Sequence, residues 1–419
     1  MLVFLQTLGL TRHRTSLAAV ARLVTALLVG QSLRPSSLLR GLVSSPAVPA
    51  AQRYRRLRRL LDSPALTPAA TSAALVRGSL ALYQPARPTL VLDTVRCGGW
   101  EIVTVGLALA GRVQLLSTAA LPYPWPPGQF TPTVLTALRQ VAQAWPAAAP
   151  RPQLVADRCF PSRTLFTLVA SWGWGYTVRL RAVHAVTLAS ERQRVRALLD
   201  PAQTGSWRRL AGAYGWGTKA IPGTLVVGQG LAVLPWHQRD AGSARARQRR
   251  TAKRAYDRKE RQHPAVAETD AWVVLFTTEA TTLGAVRRYK QRYPTEGTYR
   301  DLQGGWDGAH GWALEPVAAH QPTVARLTAL VGLAALGQLL QQWVGWQLGH
   351  QHSTGVGRWL HLAWSVHGRL SLFARGRLAF TDPTGALAPW LATTLAAATA
   401  CLRDPAPGPQ QPTLAALAA

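Results

Sequence analysis

Apolar positions recur at helical spacing through residues 1–85, then switch to short strand-like runs over residues 88–180. The segment RTSLAAVARLVTALLVG predicts an amphipathic helix, with Gly30 as its stop, and SSLLRGLV predicts another after Pro35. AQRYRRLRRLLDSP predicts a helix with Leu57, Leu60 and Leu61 on one face and Arg53, Arg55, Arg56, Arg58 and Arg59 around the remainder. That basic surface suits contact with DNA, although a solvated outer face has the same pattern.

The next region alternates between strand and helix signals. TLVLDTV, WEIVTVGLALA and RVQLLSTAAL predict three strands in an antiparallel meander, with Gly98, Gly99 and Gly111 at the turns. TVLTALRQVAQAW predicts a helix, PQLVADRCF a strand, SRTLFTLVASWG a helix ended by Gly173, and YTVRLRAV a strand. This order matches an RNase H-like fold, in which the first and fourth strands are neighbours. Residues 182–278 interrupt it with short strand-like runs, among them GTLVVGQGLAVLPW and DAWVVLFTT, and contain Trp207, Trp216, Trp236 and Trp272. Within them, residues 239–261 hold ten Lys or Arg against three Asp or Glu. So polar a run cannot pack into a core, and it suits either a DNA-facing loop or a solvated helix.

Helix signals return near residue 283. Residues 327–348 carry no charge, but Gln338, Gln341, Gln342 and Gln347 interrupt them, which favours a buried core helix over a membrane span. The expected organisation is therefore α/β. Residues 1–85 form a helical DNA-binding domain, 86–181 the first part of an RNase H-like core, and 182–278 a β-rich insertion. Residues 279–349 complete the core, and 350–419 end in an irregular, Pro- and Gln-rich tail.

Composition narrows the function. The formal net charge is +29, from 47 Lys and Arg against 18 Asp and Glu, so a polyanion such as DNA is the expected partner. Only four of the cations are Lys, and the Arg, Ala and Gly richness also fits a GC-rich genome. The three cysteines form no C-x-x-C pair, which argues against a zinc site and a disulfide framework. The start MLVFLQTLGLTRHRTS has no basic segment before its apolar run, so no signal peptide is expected and a cytoplasmic location fits. No P-loop and no G-x-S-x-G elbow occurs, and the Gly228/Gly230 pair lacks a helix signature after it, so a nucleotide site is not expected there. His350 and His352 form an H-x-H with no evident third ligand.

With so few acids, an Asp inside an apolar run stands out, because an unpaired buried carboxylate is costly. Asp93 in TLVLDTV and Asp157 in PQLVADRCF are such residues. Downstream, YKQRYPTEGTYRDLQGG places Tyr289, Arg292, Glu296 and Gln303 in the spacing Y-x2-R-x3-E-x6-Q. If a helix starts near Pro294, Glu296, Tyr299, Arg300 and Gln303 share one face, with Gly297 weakening the turn. Taken singly, Asp93 could cap a turn, Asp157 could cap a helix near Pro161, and Glu296 could be a solvated helix residue.

Taken together, the order D, D, E beside Tyr and Arg resembles the DDE transposases of bacterial insertion sequences, in the branch with a Y-x2-R-x3-E-x6-K signature. The resemblance covers residues 88–349. It implies metal-dependent cleavage at transposon ends and strand transfer into target DNA. Asp93, Asp157 and Glu296 would be catalytic carboxylates holding two Mg²⁺ or Mn²⁺ ions. Hard oxygen ligands suit such ions, and a two-ion site can activate an attacking oxygen and stabilise a leaving one. By position, Tyr289 and Arg292 inherit contacts to transposon-end phosphates. Gln303 stands where the family has Lys; it can donate a hydrogen bond but brings no charge, and Arg300 is the candidate to compensate. Arg249, Arg250, Lys253 and Arg254 of the basic run are further DNA-binding candidates. Cys159 replaces the Gly that usually comes after the second Asp-Arg. The implied partners are double-stranded DNA, as terminal inverted repeats and target, and a second copy of the chain in a synaptic dimer. Trp216 and Trp236 are candidates for stacking on a displaced base. The rival expectations are a decayed, DNA-binding relic and an RNase H-like nuclease that cuts without joining.

Overall fold

The computed structural model describes residues 1–11, 13–42, 48–109, 111–199, 206–215, 217–229, 272–303, 312–321, 323–350, 372–381, 385 and 387–404. The fold is mixed α/β. The chain divides into two compact units, residues 1–151 with 292–419, and residues 152–291.

In the first unit, helices α1 (Leu2–Thr7), α2 (Arg14–Gly30), α3 (Pro35–Leu42), α4 (Ala50–Leu61) and α5 (Pro68–Tyr83) precede a meander of β1 (Thr89–Cys97), β2 (Trp100–Leu109) and β3 (Arg112–Pro122). Both pairings of the meander are antiparallel, with Asp93 opposite Thr104 and a bulge in β2–β3 at Val105/Gly106. Helix α6 (Phe130–Ala144) comes next. The N-terminal helices are packed with the meander in this unit. In α4, Leu57, Leu60 and Leu61 are buried while Arg55, Arg56, Arg58 and Arg59 are exposed, as its periodicity predicts. Helix α2 includes Gly30, and the left-handed terminating residue is Gln31, at φ 46°. Its side chain explains why glutamine is used: its Oε1 accepts from Trp312 Nε1 at 3.0 Å and its Nε2 donates to Gln341 Oε1 at 3.0 Å.

The second unit holds β4 (Gln153–Ala156), α7 (Arg163–Ser171), β5 (Gly175–Arg179), β6 (Ala185–Leu188), β7 (Glu191–Arg194), β8 (Trp207–Tyr214), β9 (Ile221–Gln229), β10 (Trp272–Thr277) and α8 (Thr282–Lys290). Its strands run in the order β4-β5-β10-β9-β8-β6-β7. Only β4 and β5 are parallel; the others pair antiparallel. Trp272–Thr277, expected in the insertion, thus pairs directly with β5. Phe166, Tyr176, Tyr214 and Phe276 cluster with ring centroids 4.9–5.9 Å apart. Gly228 lies opposite Trp207, and a Cβ there would come within 2.4 Å of the indole. Close packing on an aromatic ring is therefore the reason for this glycine.

After residue 291 the chain returns to the first unit with α9 (Pro294–Gln303), α10 (Leu314–Ala318), α11 (Val324–His350), α12 (Leu372–Phe380) and α13 (Ala388–Arg403). Helix α11 is the described helix long and apolar enough to cross a membrane, and 83% of its most apolar window is buried inside the protein. Its glutamines have partners in the core. Gln338 Nε2 donates to Val113 O at 3.2 Å, and its Oε1 accepts from Leu115 N at 3.3 Å. These are backbone groups of β3 on the side turned away from β2. An open strand edge invites unwanted pairing, and Gln338 closes it from a helix. Gln341 Nε2 donates to Phe373 O at 3.0 Å. An apolar helix carrying amides at these positions is built for a protein interior.

Candidate active site

Asp93 lies within β1, so it is not a turn cap. Its Oδ2 accepts from Arg292 Nη1 at 2.9 Å, and its Oδ1 accepts from its neighbour Thr94 N at 2.9 Å. Both ionic side chains are largely shielded, Asp93 at 13% and Arg292 at 11% exposure. In so shielded a setting, a carboxylate and a guanidinium each compensate the charge the other brings in from water.

Glu296 is in the first turn of α9, where a negative charge suits the helix dipole, and it is exposed. The helix begins at Pro294, the position the sequence indicates for a tolerated first-turn proline. Residues beyond Glu296 fasten the helix to the meander. Thr298 Oγ1 accepts from Val113 N at 2.9 Å. Tyr299 Oη shares a 2.6 Å hydrogen bond with Thr104 Oγ1, the residue opposite Asp93. Asp301 Oδ2 pairs with Arg112 Nε at 2.6 Å. Burial lifts the Asp301 carboxyl above its ordinary value, although the Arg112 charge and hydrogen bond pull it down.

Gly297 weakens the helix locally, but a Cβ there would approach Arg112 Nη1 to 2.8 Å, so the small residue permits the docking. Gln303 Nε2 donates to Arg96 O at 2.8 Å and to Cys97 Sγ at 3.4 Å. Gln303 thus ties the end of α9 to β1 through a neutral donor. Arg300 is exposed, and its Nε reaches back to Glu296 O at 3.4 Å.

In the second unit, Asp157 comes directly after β4 and is partly buried. It does not cap the next helix: Ser162 does, accepting from Leu165 N at 3.2 Å. Asp157 Oδ1 accepts from Tyr289 Oη at 3.2 Å. Tyr289 is on α8 and is 1% exposed. Nearby Arg288 pairs with Glu279 at 3.1 Å.

The two aspartates and Glu296 offer carboxylate oxygens, the donor type that magnesium or manganese prefers, so they fit such an ion in kind. Among the described residues, no three His, Cys, Asp or Glu side chains gather as a ready metal-binding group. Arg249, Arg250, Lys253, Arg254, Trp216, Trp236, Gly230 and His352 lie outside the described residues.

The sequence did not foresee the anchoring roles of Thr298, Asp301 and Gln303. Their signal was present in the continuation E-x-x-Y-R-D-L-Q, but the partners are strand residues more than 180 positions earlier. Compared with known proteins, the chain matches no protein-family model and no curated sequence.

Proposed function

We propose that this chain is a DNA transposase of the DDE type, built on an RNase H-like core with a β-rich insertion. The observation that supports this best is the pairing of signature residues with the aspartates. Asp93 and Asp157 stand out in the sequence for being acids in apolar runs, and Tyr289 and Arg292 for their spacing before Glu296. Within its own unit, each aspartate is hydrogen-bonded to one of the two.

In this reading Asp93, Asp157 and Glu296 supply oxygen ligands, which requires all three to act on the same pair of ions. Bound Mg²⁺ or Mn²⁺ would supply activation of the attacking oxygen and stabilisation of the leaving one. Arg292 orients Asp93 and Tyr289 orients Asp157. Arg300 and the exposed arginines of α4 offer positive charge to phosphates. Water would cleave the P–O3′ bond at an inverted repeat, leaving a 3′-hydroxyl and a 5′-phosphate; the 3′-hydroxyl would then attack a second phosphodiester, in the opposite strand or in target DNA, and displace that strand's own 3′-oxygen as a new 3′-hydroxyl. The basic run, including Arg249, Arg250, Lys253 and Arg254, would add DNA affinity. A homodimer bridging two ends, working at the bacterial nucleoid, fits the reading.

Gln303 favours one second reading. Its amide is committed to Arg96 O, and no cation stands at the signature's last position, as expected of a DNA-binding relic. One experiment separates the two. A labelled duplex carrying the inverted repeats that flank the coding region is incubated with Mg²⁺ or Mn²⁺ and the wild type or Asp157→Ala. The transposase reading predicts nicking with a free 3′-hydroxyl, reduced by roughly a thousandfold or more in the variant. Binding of the repeats without cleavage by either protein would establish the relic.

A further inference from the structure

The loop after β3 reads YPWPPGQF and carries no charge. Tyr123 and Trp125 are each 38% exposed, which is unusual for large aromatic side chains so close together. Trp125 stacks on Phe130 at the start of α6, with centroids 4.3 Å apart and an interplanar angle of 19°. Tyr123 meets Trp125 edge-on at 6.3 Å. Over the Tyr123 ring, at 3.7 Å, sits the guanidinium of Arg96.

This group is held in place before any ligand arrives. Arg96 Nε is fixed at 3.1 Å by Glu101, whose own side chain is 5% exposed, while the Arg96 side chain remains 60% exposed. Tyr123 N donates to Gly99 O at 2.9 Å, tying the loop to the β1–β2 turn. The pleat sends Asp93 and Arg96, three positions apart on β1, to opposite faces, so the Arg96 guanidinium is on the other face of the strand from the Asp93 carboxylate. The group joins two partly exposed aromatic rings to an exposed cation. The acid beside that cation is already buried against it.

We infer that Trp125, Tyr123 and Arg96 form a binding site for single-stranded DNA, with an unpaired base stacked on the open face of Trp125 and a phosphate on Arg96. Aromatic faces bind bases that are not already stacked in a duplex, and an adjacent cation tracks the backbone. The inference rests on the proposed function only in choosing DNA as the polyanion.

The test uses the full chain and a fluorescein-labelled oligothymidylate of about 12 nucleotides, a length within the span of known single-strand sites. Its affinity is compared by anisotropy with that for a labelled duplex of equal length. Trp125→Ala is expected to weaken single-strand binding roughly tenfold, since one stacked base contributes on that order, and to change duplex binding by less than about twofold. Trp125→Phe should restore most of the loss. An oligonucleotide carrying 5-iodouracil should photocross-link to the peptide containing residues 123–125.

The inference is overturned if Trp125→Ala binds single strands as the wild type does, if it loses both substrates equally, or if the wild type does not bind single strands. Metal-dependent nicking that survives such a result would leave the transposase reading standing. Absent nicking with the expected binding pattern would do the reverse.

Discussion

Asp93 and Asp157 pose the same physical problem in two regions of the molecule, and the regions answer it differently. In the first unit Asp93 pairs with a guanidinium; in the second Asp157 accepts from a phenol. The contrast extends further. The first unit also contains Arg112–Asp301, Arg96–Glu101 and Arg326–Asp62. The second combines neutral polar contacts such as Thr177–Thr277, at 2.8 Å, with a buried guanidinium, Arg179, that donates to Trp272 O at 3.3 Å, and an ion pair, Arg288–Glu279. A guanidinium compensates charge, so removing it takes an ion-pair partner from a shielded carboxylate. A phenol directs the carboxylate through a neutral hydrogen bond and brings no charge of its own. The difference predicts that Arg292 contributes more to stability than Tyr289 does.

The largest expected effect tests that directly. Arg292→Met should destabilise the protein by about 3 kcal/mol, because breaking a mostly buried pair strands its partner. Asp93→Asn in the same chain should recover much of that loss in a double-mutant cycle monitored by denaturant unfolding. A loss as small as that of a surface substitution would break the comparison.

Gln338→Leu sharpens it, because the first unit also depends on neutral amides where a strand edge must be closed. Leaving Leu115 N and part of the Val113 O capacity unmet should cost about 2 kcal/mol, read from the urea midpoint.

His184 tests a half-buried neutral group of the second unit. Burial, helped by the charge of Arg181, pushes its imidazole down from 6.5 to about 4, and its Nδ1 accepts from Arg181 N at 3.1 Å. A depressed imidazole is neutral in the folded chain while the unfolded chain takes up a proton below about 6.5. Its stability is therefore complete above that pH and is lost as pH falls toward about 4. The loss should be roughly 2 kcal/mol at pH 4.5, and His184→Gln should flatten it in pH-dependent unfolding. The smallest effect is expected for Tyr289→Phe, about 1 kcal/mol or less by thermal unfolding, the loss of one neutral hydrogen bond to Asp157.

Much of this architecture was legible from residue order. The three meander strands, the helix beginning at Pro294 and the buried character of residues 327–348 come from periodicity, proline placement and the glutamines. These are local signals. What escaped was non-local. Nothing near Trp272–Thr277 says that it pairs with β5 rather than only with β9, since any apolar strand fits either neighbour. Gln303 looks like a weakened phosphate ligand in sequence, and its acceptor, Arg96 O, is brought to it only by the docking of α9. Gly297 looks like a defect until Arg112 is placed beside it. Asp93 and Asp157 were recognisable because charge is so scarce in their runs, but their different partners could not be inferred from the runs themselves.

The central proposal is that Asp93, Asp157 and Glu296 serve common metal ions, and iron-directed cleavage of the polypeptide tests it most directly. Fe²⁺ exchanged into a magnesium site generates hydroxyl radicals with ascorbate and peroxide, and these cut the backbone near the ion. The account predicts cuts around residues 93, 157 and 296 together, suppressed by excess Mg²⁺ and lost from all three places in Asp157→Ala. Cuts at one of these segments that persist in the variant, or no Mg²⁺-sensitive cuts at any of them, would contradict it.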